Sequence, residues 1–181
     1  NLYLTQVSHL TNLQASYVIT MIFVGTIIGG PLLGWFSDRL GVRRWPMILN
    51  AILSLLVIIA IMRLPHLPYW QLMTLYLALG FFTSAQVLGY PVIAESNPKL
   101  ITSSSMGLAS VLIMGGGAVF QPVFGAIMDA HWGGVILNQV RVYPPEAFQV
   151  AMQILPAAFI VGLLMSLLIR ETHCREIETE I

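Results

Sequence analysis

The sequence predicts an all-α membrane protein with five transmembrane helices, and three observations carry that expectation. Of 181 residues, 57% are hydrophobic and only 9% are charged, too few charges to cover a soluble domain. Five apolar segments, residues 11–36, 45–63, 70–94, 103–128 and 147–169, reach the length a helix needs to cross a hydrocarbon core, roughly 17 to 25 residues. The four tryptophans, Trp35, Trp45, Trp70 and Trp132, all fall at the ends of these segments, where an amphipathic ring favours the headgroup level. The short alternating strands of a membrane barrel are absent from the pattern.

Before the first span lie residues 1–10, read as an extracytoplasmic stub of a preceding helix or loop. The chain starts at Asn1, without an initiator Met and without a basic segment leading into a short apolar run, so the start reads as a cut end. The first and second spans are joined by a short connector holding Arg39, Arg43 and Arg44, the third and fourth by one holding Lys99. After the last span comes a polar tail, residues 170–181, with Arg170 and Arg175. The opposite side holds only Arg63 and Arg141. Cytoplasmic connectors carry the excess of Lys and Arg, so the tail is expected in the cytoplasm and the N-terminus outside. An odd number of spans with an exported start then calls for at least one further helix upstream.

Several function classes are excluded at this level. Formal net charge is zero and no basic block stands alone, so a nucleic-acid partner is not expected. Cys174 is the one cysteine, which rules out an internal disulfide. His9, His66, His131 and His173 sit in separate loops or tails on opposite membrane sides, so no metal site and no cofactor are expected. Asp38 and Asp129 are predicted near opposite faces and cannot form an aspartyl pair, and no G-x-S-x-G elbow is present. An enzyme is not expected.

Residues Gly34 to Arg44 read G-x-x-x-D-R-x-G-x-R-R, fixed by Gly34, Asp38, Arg39, Gly41, Arg43 and Arg44. At that spacing Gly34 would let a neighbouring helix approach, Gly41 would suit a tight turn, and Asp38 would stabilise the positive end of a neighbouring helix. This pattern on a connector between two spans resembles the signature loop of the major facilitator superfamily. The resemblance implies a partial six-helix bundle of that family and a secondary transporter moving a small solute through the bilayer by alternating access. The order of motif, two hairpins, last span and tail resembles helices eight to twelve, the C-terminal half, which implies an N-terminal bundle of the same protein as partner. Helices two to six of the first half are the alternative.

Glu95-Ser96-Asn97-Pro98 and Glu171-Thr172 resemble the ends of the tenth and twelfth helices in sugar-porter-like members, although the usual Pro before the last Glu and the basic residue after Thr are missing. Arg39, Arg43, Arg44, Glu95 and Glu171 are expected at one inner interface, pairing as a conformational gate when the cytoplasmic side closes. By the same resemblance the third span lines the cavity. Thr83, Gln86 and Tyr90 recur there at helical spacing and, with Tyr76, Tyr17 and Gln121, are the substrate-contact candidates. The protein is expected to be integral and multi-pass in a plasma membrane or bacterial inner membrane. A helical scaffold or receptor-like module that kept the fold without transport is the competing reading.

Overall fold

The structure is a computed structural model that describes residues 2–64, 67–137 and 140–175. His66 and the tail beyond Arg175, both placed from sequence above, lie outside the described residues. A short helix α1 (Leu2–Gln6) leads into α2 (Asn12–Leu40), α3 (Arg44–Arg63), α4 (Tyr69–Thr83), α5 (Gly89–Ser96), α6 (Lys99–Ala130), α7 (Pro145–Met152) and α8 (Ile154–Leu168). Five units are long and apolar enough to span a membrane: α2, α3, the run Tyr69–Ser96, α6 and the run Pro145–Leu168.

The long first span begins at a capping box. Gln14 N–H donates to Thr11 Oγ1 at 3.3 Å, and Thr11 N–H donates back to Gln14 Oε1 at 3.0 Å. It ends where Gly41 adopts φ 65°, ψ 26°, the left-handed conformation that costs glycine nothing. Gly41 N–H bonds the Asp38 carbonyl and Val42 N–H the Ser37 carbonyl, at 3.2 and 3.3 Å, the paired closure that satisfies a helix C-terminus. The sequence pattern ends the first span at residue 36 and leaves the rest of the motif on a connector; instead Ser37 to Leu40 continue the helix. The reason is local, since the one residue that turns the chain is Gly41.

Two spans are interrupted. Between α4 and α5, residues Ser84–Leu88 tighten into a 3₁₀ segment, and α7 gives way to α8 at Gln153. Each break spans or directly follows the fourth residue upstream of a proline: Val87 for Pro91 and Met152 for Pro156. A proline offers no N–H to that carbonyl, and its ring crowds it. Thr83, Gln86 and Tyr90 therefore do not share one α-helical face as their spacing suggests, because three residues per turn replace 3.6 across the segment.

Helix α4 packs along α2 and against α3, and α3 also packs against α8. Lipid is as apolar as these side chains, so close van der Waals contact rather than water exclusion has to hold the helices. The α2–α4 crossing supplies it. A Cβ on Gly80 would stand 2.0 Å from the Ile22 carbonyl oxygen, and one on Gly25 would stand 2.2 Å from the Leu77 oxygen. Thr26 Oγ1 sits in the same crossing and donates to the Gly80 carbonyl at 3.2 Å. By contrast, Gly30, Gly34 and Gly115 to Gly117 meet nothing within 4 Å, so the approach expected at Gly34 is not made within the described chain.

The connector after α6 forms a small antiparallel ladder, Ile136–Leu137 with Val140–Arg141. Arg141 and the Tyr143 hydroxyl both donate to Asp129 Oδ1 at 2.8 Å, and the guanidinium lies 4.7 Å from the Trp132 ring. These contacts tie the ladder to the end of α6.

Replacing Gly80 by Ala drives its Cβ into backbone, which cannot step aside, and is expected to cost about 1–3 kcal/mol or more. Gly30→Ala, with open space around it, is expected to leave stability unchanged or raise it. Thermal unfolding of the two variants in one detergent checks the contrast.

Candidate functional site: a buried charge cluster at one end of the bundle

Helix α3 begins without a cap of its own, since Arg43 in the N-cap position makes no side-chain capping bond. Its first N–H groups need acceptors, and they find them across the fold. Glu171, three residues past the end of α8, accepts from Arg43 N–H at 2.7 Å through Oε1 and from Arg44 N–H at 2.9 Å through Oε2. A carboxylate at that place also meets the positive end of the helix dipole. Asp38, expected in that role, binds Arg43 instead. Burial works to raise the Glu171 carboxyl, but the N–H groups of Arg43, Arg44 and His173 outweigh it and hold its pKa below 4.5.

The Arg43 side chain turns inward and is only 6% exposed. Its planar fork reaches Glu95 with two nitrogens, Nη2 to Oε1 at 2.7 Å and Nε to the same oxygen at 3.1 Å. Nη1 donates to Asp38 Oδ1 at 2.5 Å and to Ser37 Oγ at 3.1 Å. Glu95 is itself 8% exposed, so the pair is largely out of water. Its hydrogen bonds to Glu95 hold the guanidinium pKa above its ordinary value. Thr172 donates to the second Glu95 oxygen. One buried carboxylate at the end of α5 thus joins the α2–α3 connector to the segment after α8.

Other parts of the sequence pattern take different places. Arg39 is exposed and lies 5.3 Å from the Trp35 ring, making no ion pair among the described residues. Arg44 Nη2 donates to the Leu167 carbonyl at 2.5 Å rather than to a carboxylate. Ser37, Thr172 and Cys174 were not in the sequence-based set. Ser37 is fully buried and donates to the Val42 carbonyl at 2.7 Å, bracing the turn that aims Arg43. Cys174 Sγ lies 4.0 Å from the Ser37 carbonyl, and burial pushes its thiol pKa up. His173 and Cys174 both hold left-handed backbone, φ 52° and 56°, where the chain hooks back over the connector.

The cavity candidates are dispersed. Tyr17, Gln86 and Gln121 lie on the exposed surface of the bundle. Thr83 donates back to the Leu79 carbonyl at 2.7 Å, Tyr90 pairs with Ser110 at 3.3 Å, and Tyr76 packs beside Ile58 and Leu72. None of the six lines the 280 Å³ cavity found at the other end of the bundle.

Five membrane-length helices joined through a motif of fixed Gly, Asp and Arg positions are matched over residues 1–180 by the family model of the Major Facilitator Superfamily. The chain belongs to the Major Facilitator Superfamily. It is an integral, multi-pass membrane protein of a transporter family, which implies a small-molecule substrate and a lipid surround. No curated protein and no solved structure matches it.

Removing the Arg43 fork strands a buried carboxylate. Arg43→Ala is therefore expected to destabilise by about 3 kcal/mol, whereas Arg39→Ala, on the exposed face, stays within about 0.5 kcal/mol; denaturant or thermal unfolding distinguishes them. Glu171 provides a pH test. Its carboxyl is depressed in the folded state, so its contribution is fully present above pH 4.5 and is lost as pH falls through the lower folded value. Amide exchange at Arg43 and Arg44 is expected to accelerate over that acid window, and Glu171→Gln is expected to abolish the dependence.

Proposed function

We propose that this chain is the C-terminal half, helices eight to twelve, of a transporter that moves a small solute by alternating access, with its tail in the cytoplasm. In this reading the Arg43 cluster is the lock that holds the cytoplasmic side shut. The bidentate Arg43–Glu95 pair carries the proposal, because it is buried and bridges elements that must separate if the inner end opens. A lock of this kind biases an equilibrium between two states rather than building the fold. Asp38 and Ser37 aim the guanidinium, Glu171 anchors the start of α3, and Gly41 supplies the turn between them. Gly34, Arg39 and Arg44 belong to the same end of the bundle, with Arg39 stacked on Trp35 at the headgroup level.

The excess of Lys and Arg at the Arg43 end supports the orientation, in a plasma or bacterial inner membrane. Exposure of Tyr17, Gln86 and Gln121 supports a role on the solute pathway, since polar side chains at membrane depth favour a water-filled cavity over lipid. That pathway would be completed by an N-terminal bundle of the same protein, against which this one rocks. Tyr76, Thr83 and Tyr90 then act as supports behind the exposed set, through their helix contacts.

Cys174, the one thiol, is a native reporter of the lock. Its contact with Ser37 and its raised pKa both slow maleimide attack, which requires an exposed thiolate. Glu95→Gln is expected to raise the labelling rate of Cys174 severalfold in membrane vesicles with the fold retained. Labelling identical to the unmodified protein removes the lock.

A further inference from the structure

At the end of the bundle opposite the charge cluster lies a cavity of 280 Å³ between α1, the end of α3 and the start of α7. Its volume is close to the roughly 300 Å³ at which small-molecule pockets begin. Among the described residues no Asp, Glu, Lys or Arg lines it, while Tyr3, Gln6, His9 and Gln149 bring hydrogen-bonding groups to its wall and Met62 and Met152 bring thioethers. Two of the polar groups are fixed beforehand. Gln6 donates through Nε2 to the Arg141 carbonyl at 3.1 Å and accepts from Tyr143 N–H at 3.1 Å, which leaves one N–H and one lone pair unused. Tyr3 donates to the Ile61 carbonyl at 3.4 Å and keeps its oxygen free to accept. The His9 imidazole and the Gln149 amide make no hydrogen bond to any described residue.

The backbone beneath His9 adds an independent observation. After α1, Leu10 N–H bonds the Leu4 carbonyl at 3.1 Å, and His9 lies in the turn this bond closes. It does so at φ 54°, a conformation that costs a side-chain-bearing residue about 1 kcal/mol or more. Backbone held in this region is over-represented at ligand-binding sites. Here it carries an imidazole on the cavity wall.

We propose that this cavity binds a small uncharged ring compound with donors and acceptors along one edge, at a site separate from the solute pathway. The edge would lie against Gln6, His9 and Gln149, and the flat face against the two methionines, whose polarisable sulfurs suit a π surface. An ion is disfavoured, since none of the described lining residues carries a fixed charge to offset its desolvation.

Uracil, a neutral amide-edged ring, is the probe, and orotate, which adds one carboxylate, is its charged counterpart. In nanodiscs, uracil is expected to bind saturably by titration calorimetry and to shield His9 from carbethoxylation by diethyl pyrocarbonate, read by mass spectrometry, while the exposed His173 at the opposite end reacts unchanged. Orotate is expected to shield neither. Gln149→Leu is expected to weaken uracil about tenfold, the worth of one well-placed hydrogen bond. His9→Gly relieves the turn, so it is expected to hold or raise the melting temperature while weakening uracil by a similar factor. No shielding of His9 by uracil overturns the proposal, as does equal shielding by orotate or binding indifferent to both substitutions.

Discussion

A guanidinium that leaves water must place its five N–H donors, and at Arg43 that requirement organises one end of the molecule. Glu95 comes from α5, Asp38 and Ser37 from the last turn of α2, and Thr172 from the segment after α8. Each partner satisfies another group besides Arg43 or braces the loop that holds it. Ser37 closes on Val42, while Thr172 completes the Glu95 carboxylate. Breaking a contact among the buried members Arg43, Glu95 and Ser37 leaves a desolvated polar group behind, so that part of the cluster holds or opens as a unit, with the exposed Asp38 adding to it from the solvent side. That all-or-none character suits a two-state device better than a row of exposed pairs, each worth about 0–1 kcal/mol.

The cluster can form only because the helices beneath it stand at fixed separations. Gly25 on α2 and Gly80 on α4 bring two backbones into direct contact, and Ser84 Oγ lies where a Cβ on Gly29 would stand. At Gly29 this crossing lies about two helical turns, ~12 Å at 1.5 Å per residue, before Ser37 on α2. It sets how α2 enters the Gly41 turn. A bulkier residue in the crossing would move the turn and, with it, the direction of Arg43.

Much of this was legible from residue order. Apolar runs of membrane length reveal five spans because lipid permits few other structures, and the Gly, Asp and Arg spacing identifies the family. What could not be read is which arginine faces inward. Ser37 and Arg39 are two residues apart on a helix, so one points at the packed face and the other away from it. That distinction depends on knowing that α2 runs on to Leu40, which only the position of Gly41 fixes. The helix breaks were half legible. Pro91 and Pro156 stand just after interruptions, yet Pro31 and Pro122 leave α2 and α6 unbroken. A proline locates a weak point without deciding whether the chain yields there.

The interruption at Ser84–Leu88 bears on how the lock could be worked. It separates α5 from α4, so the eight residues Gly89–Ser96 form a short arm with Tyr90 in its first turn and Glu95 in its last. Tyr90 is fastened to Ser110 on α6, and Asn97 closes the arm by donating to the Ile93 carbonyl at 2.8 Å before Pro98 starts α6. A tilt of α6 would therefore carry α5 with it and draw Glu95 off Arg43, without disturbing the glycine crossing that holds α2 to α4. The arm connects the least packed span of the bundle to its most desolvated ion pair, and a 3₁₀ segment, whose hydrogen bonds are intrinsically weaker than those of an α-helix, is where a tilt of the proposed lock would cost least.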